Sequence, residues 1–103
     1  MTDTTDRRQA LRYPIPLRVE LERGNGLTWD ISTSGVLFET DQVFPAGAPI
    51  RLTLFLNSTP SGVPTCLHCQ GRVVRAEKRG EKTGFAVAFT SYQFKALGSG
   101  GGT

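Results

Sequence analysis

Apolar side chains recur at every second position along much of this chain. Leu17, Val19 and Leu21 alternate with Arg18, Glu20 and Glu22, and Leu27, Trp29 and Ile31 follow the same rhythm. It returns at Ile50, Leu52, Leu54 and Leu56, and again at Phe85, Val87 and Phe89. A period of two marks a strand with one face buried. Two further strands are read at 36–40 and at 65–77, the second long enough that Gly71 is expected to mark a bulge or bend. Between them lie turn-forming clusters: Gly24-Asn25-Gly26, the segment 32–35, the Pro- and Gly-containing 44–49, a polar and exposed loop at 57–64, and a charged turn at 78–82. Residues 91–97 read as one or two helical turns. The pattern thus predicts an all-β domain of six short antiparallel strands, a barrel or a sandwich, with at most a short C-terminal helix. Alternation puts Trp29 on the face opposite Asp30, in the core with Phe85 and Phe89, and sends Phe55 outward toward the C-terminal segment or a partner.

The ends differ from the middle. Residues 1–6 are polar with no apolar period and are expected to be disordered, and residues 98–103 are glycine-rich and expected to be flexible. Tyr13-Pro14-Ile15-Pro16 enforces an extended path. One domain over 7–97 follows, which suits a chain of 103 residues that is 38% hydrophobic and 20% charged. The net charge of +3 favours anionic partners but falls short of the dense basicity of duplex-binding proteins. No apolar run is long enough to span a membrane, and the N-terminus does not resemble a secretory signal, so a cytoplasmic location is expected. Cys66 and Cys69 flank His68, but residues three apart on a strand point to opposite faces. Two ordinary reduced thiols are expected, with neither a metal site nor a disulfide.

Two segments carry candidate chemistry. Arg8 and Arg12 form an RxxxR spacing with Arg7 just ahead, and Asp30, Ser32 and Gly35 form a DxSxxG turn. Guanidinium groups pair with phosphate and equally with the O6/N7 edge of guanine, while a carboxylate accepts from the opposite, donor-bearing edge of that base. Ser32 offers a hydroxyl to the ligand or merely stabilises the turn. Gly35 supplies a positive φ or a close backbone approach.

With these motifs in place, the sequence resembles the PilZ domain family of bacterial receptors for the second messenger cyclic di-GMP, over residues 7–92. Pro45-x-Gly47, Gly71-x-Val73-Val74-Arg75 and Gly84-Phe85-Ala86-Val87-Ala88-Phe89 add weaker likeness. The resemblance implies a six-stranded β-barrel whose arginine arm folds over cyclic di-GMP above the DxSxxG turn, as a ligand-driven switch acting on a downstream protein partner. It makes Arg7, Arg8, Arg12, Asp30, Ser32 and Gly35 the ligand-binding residues. It also makes Arg7, preceding RxxxR, the mark of two stacked cyclic di-GMP molecules per chain. Many members continue into a helix, whereas this chain passes into glycines after Leu97.

The rival reading is a small barrel binding single-stranded nucleic acid through a basic arm. Such modules line a basic groove with exposed aromatics. Here most aromatics fall on inward positions and the arm lacks aromatic interleaving, Tyr13 excepted, so nucleic acid is not the expected partner. No nucleophile has a matched base and no phosphate-cradling loop is present, so an enzyme is not expected.

Overall fold

A computed structural model describes residues 11–56 and 62–96. Six strands account for most of them: β1 (Arg18–Leu21), β2 (Gly24–Ile31), β3 (Gly35–Thr40), β4 (Pro49–Leu56), β5 (Thr65–Arg79) and β6 (Lys82–Ala96). They close into a barrel in the order β1-β2-β3-β6-β5-β4, with every pairing antiparallel. Among the described residues there is no helix, and therefore none long and apolar enough to cross a membrane.

The alternation explains the interior. Val19, Phe38 and Leu54 are completely buried, and Leu52, Leu67, Val73, Phe85 and Val87 join them in one core cluster. Each such side chain contributes about 1.5–3 kcal/mol on leaving water. Phe44 closes one end of this core, its ring edge-on to Phe85 with centroids 5.4 Å apart.

A buried polar group fixes the lead-in to β1. The Thr28 hydroxyl accepts from the Leu17 amide at 2.7 Å and donates to the Ile15 carbonyl, and the Thr28 amide reaches the Leu17 carbonyl at 2.9 Å. Thr28 is thus satisfied although almost wholly buried. Further upstream, Tyr13 bridges Ile31 in antiparallel fashion, with N–H···O distances of 2.8 and 3.0 Å.

Three local expectations are corrected. The first hairpin turns at Glu22 and Arg23 rather than at 24–26, because Leu21 pairs with Gly24 and Val19 with Gly26. Gly24 does take a positive φ of 121°, but as the first residue of β2. Second, β6 runs as a strand to Ala96 where a helical turn was expected, because Tyr92, Phe94 and Ala96 find partners in Cys69, Leu67 and Thr65. Third, Trp29 is not in the core. Thr28 pairs with Phe38 and Asp30 with Leu37, which leaves Trp29 as the extra residue of a bulge. Its ring lies half-buried on the barrel surface.

Gly71 does mark an irregularity. Gln70 faces Ser91 and Gly71 faces Phe89, so the extra residue is Thr90 on the opposite strand. The cysteines lie as alternation requires, with Cys69 in the core cluster and Cys66 on the other face of β5. Burial pushes the Cys69 thiol up to about 12, so it carries no thiolate chemistry near neutrality.

Candidate functional site

The register of the sheet brings the site together. Asp30 pairs with Leu37, Leu37 with Ala86, and Ala86 with Arg75, a row of four residues across β2, β3, β6 and β5. Directly opposed residues share a face. The neighbouring row, Ile31, Val36, Val87 and Val73, faces the core, so the Asp30 row faces out. A surface groove of about 390 Å³ follows it, floored by Leu37 and Ala86 and rimmed by Arg12, Asp30, Ser34, Arg75 and Arg79.

At one rim Arg12 grips Asp30. Its Nε donates to Oδ1 at 2.8 Å and an Nη group lies 2.7 Å from the same oxygen, so Oδ2 is not engaged by Arg12. The Tyr13–Ile31 bridge explains the meeting, since it lays the residue after Arg12 against the residue after Asp30. The Arg12 side chain is 45% exposed and that of Asp30 is 19% exposed. Such a pair is worth about 0.2–1 kcal/mol in solvent. It opens easily.

At the far rim, Glu77 takes Arg79 at 2.9 Å and Arg75 at 3.4 Å, and these cations, Arg79 foremost, hold its carboxyl below the usual range. The Arg79 guanidinium also covers the Trp29 ring, 4.3 Å from its centroid. Trp29 in turn donates to Glu39, which also receives Lys82 at 3.1 Å. The Trp29 bond, followed by the Lys82 bond, lowers the Glu39 pKa. Under this ring lies Gly84, where an added Cβ would sit 2.5 Å from the indole.

The DxSxxG turn is built from inside. Ser32 is buried, and its hydroxyl accepts from the Ser34 amide at 3.2 Å and lies 3.1 Å from the Ser34 hydroxyl. Its amide donates to the Gly35 carbonyl at 2.9 Å. This geometry gives Ser32 the turn-stabilising role and leaves the exposed Ser34 at the rim. Gly35 has no positive φ. It is required because a Cβ there would collide with the Val87 carbonyl oxygen.

Of the six residues singled out in the sequence, the structure brings together Arg12, Asp30, Ser32 and Gly35, while Arg7 and Arg8 lie outside the described residues, as do residues 1–6 and 98–103. Arg75, Arg79 and Ser34 were missed as site residues. Only their register across β5, β6 and the turn reveals them, although Arg75 closes one of the stretches that carried the family likeness. Phe55, expected to face outward, does so beneath the Arg18 guanidinium at 4.8 Å. His68 faces Thr53, with Nδ1 and the hydroxyl oxygen 3.1 Å apart.

A four-residue outer row flanked by arginines, on a closed six-stranded barrel, makes a surface groove whose chemistry suits an anionic ligand. The chain belongs to the PilZ domain family, whose sequence profile matches residues 6–97. This is a family of cyclic di-GMP-binding signalling domains, which act as binding and adaptor modules rather than enzymes. Among solved structures, the chain is similar to the Bacillus subtilis Inhibitor of motility (MotI/DgrA), with a TM-score of 0.71 and 19% identity. That match covers 84% of this chain and 44% of the other, so the present chain spans less than half of the Bacillus protein. No curated protein matches the sequence.

Proposed function

We propose that the chain binds cyclic di-GMP in the groove between Asp30 and Arg75, with Arg7, Arg8 and Arg12 closing over the ligand. The observation that carries the reading is the Arg12–Asp30 pair at the groove rim, because it holds the arm motif and the turn motif at one place. Asp30 accepts from the guanine N1–H and N2–H₂ edge. The arginines take phosphate and the O6/N7 edge. Ser34 and the backbone of the turn line the near wall, shaped by Ser32 and Gly35.

The exposed Arg12–Asp30 bond serves as a latch. Opening it costs about 0.2–1 kcal/mol, whereas each charge-assisted bond to ligand returns about 1.5–3 kcal/mol. Ligand therefore outcompetes the latch, and ordering the arm changes the surface offered to a downstream protein. Arg7 supplies the added positive charge for a second, stacked ligand, giving two cyclic di-GMP per chain.

Titration calorimetry tests this directly. Arg8→Ala, Arg12→Ala and Asp30→Ala each weaken cyclic di-GMP binding by roughly tenfold to a hundredfold, with melting of the free protein nearly unchanged for the arginine variants. Normal binding by Arg12→Ala would sink the assignment. A molar ratio of one would remove the second ligand alone, and salt-steep binding to oligonucleotides without competition by cyclic di-GMP would favour the nucleic-acid reading.

A further inference from the structure

β6 outruns its neighbour on one side. β3 stays beside it from the Glu39–Gly84 pair to the Gly35–Ala88 pair, and the last bond across is from the Phe89 amide to the Ser34 carbonyl at 2.9 Å. Beyond Phe89 the strand continues to Ala96 with β5 on one side and, among the described residues, no strand on the other. This is a sheet edge, a row of backbone donors and acceptors able to template another strand.

The side chains on that edge make it unusual. Tyr92 is opposite Cys69 and Phe94 opposite Leu67, and both partners belong to the core cluster. Tyr92 and Phe94 therefore stand on the core side of the sheet, yet they are 47% and 62% exposed. Their rings continue outward from Phe89, edge to face, at 5.7 and then 6.3 Å. Natural edges are normally guarded by charge, proline or a short strand. Between Phe89 and Ala96 the sequence holds no proline, and Lys95 is its one charged residue. The segments of this chain that adjoin the described residues offer little cover. Leu97 is the only apolar residue in 97–103, and Met1 and Ala10 are the only ones in 1–10.

We propose that this edge pairs with the same edge of a second copy, antiparallel about a two-fold axis through Gln93. The sequence is self-complementary in that register. Tyr92 lies opposite the partner's Phe94, and Phe94 opposite the partner's Tyr92, so the uncovered rings form cross-strand aromatic pairs on the core side. On the other side Ser91 lies opposite the partner's Lys95, so each edge's one charge meets a hydroxyl rather than its like. A slip of one residue would set Tyr92 against the partner's Lys95 and put rings on both faces. The result is an isologous dimer with one sheet running through both barrels. It is independent of ligand binding at the groove.

Sedimentation velocity on the full chain, from about 10 μM to 1 mM, is expected to show a reversible shift from the 11.2 kDa monomer to twice that mass. Phe94→Glu weakens the dimer by roughly tenfold or more, because the change acts twice across the axis. Gln93→Lys sets two ammonium groups face to face and weakens it by roughly threefold to tenfold. Ser91→Glu gains the partner's Lys95 and tightens it. All three positions are exposed, so circular dichroism and melting should report an intact barrel. The two charge variants test the register even if Phe94→Glu folds poorly. A monomer at every concentration would overturn the proposal, whether residues 97–103 or nothing covers the rings. So would a dimer indifferent to Gln93→Lys and Ser91→Glu.

Discussion

The long β5–β6 ribbon overhangs the barrel at both ends, and the two overhangs are opposite in character. Past Val73, β5 becomes the edge, and it carries Arg75, Glu77, Lys78 and Arg79. Past Phe89, β6 becomes the edge, and it carries Tyr92 and Phe94. The first is guarded by charges locked to one another and to Trp29, and it flanks the candidate ligand groove. The second shows apolar rings and a nearly uncharged backbone edge. One ribbon thus presents two unlike surfaces: its charged end suits a small anion, and its aromatic end suits another strand.

The comparison can be broken at the charged end first. Gly84→Leu should displace Trp29 and cost about 1–3 kcal/mol, read as a lower melting midpoint together with altered tryptophan fluorescence. Glu39→Gln removes the carboxylate that holds Trp29 and Lys82, at about 1 kcal/mol by denaturant titration. The pH dependence has a definite sign. The folded pKa of Glu39 lies below its ordinary 4.5, so its stabilising contribution is complete above that value and is lost as pH falls through the folded pKa. Wild type should therefore lose more stability on acidification below about pH 4.5 than Glu39→Gln does. Arg79→Ala is milder, about 0.5–1 kcal/mol, since it removes an exposed cation–π contact. At the aromatic end Phe94→Ala should change the melting of dilute protein least, by under about 0.5 kcal/mol, because the ring is largely in water there. A large loss in dilute Phe94→Ala would mean that the two ends are less distinct than their surfaces indicate.

Much of this architecture was legible beforehand because a closed barrel keeps one face dry and so writes period two into the chain. Val19 and Leu21, Ile50 to Leu54, and Phe85 and Val87 all fall inward as their spacing requires. Trp29 misleads because a bulge adds one residue and reverses parity locally, which no short window reveals. Residues 91–97 misled for another reason. Gln93, Lys95 and Ala96 are good helix formers, and the pairing that overrules them lies some two dozen or more positions upstream, in 65–69. The site was half legible. Arg12, Asp30 and Gly35 sit in recognisable spacings, but Arg75 and Arg79 join them only through strand register, and register belongs to the fold rather than to any motif.

The bridge between Tyr13 and Ile31 has one more consequence. It pins the root of the arginine arm to the barrel, and Arg8 lies five positions before that root, a reach of at most about 18 Å. Arg8 is therefore never a free cation in dilute solution. Chain connectivity alone makes it a tethered one, confined within that reach of Tyr13 at an effective concentration on the order of millimolar. The bridge works as the fixed end of a leash, and under the proposed function the length of that leash sets how often the arm meets the ligand.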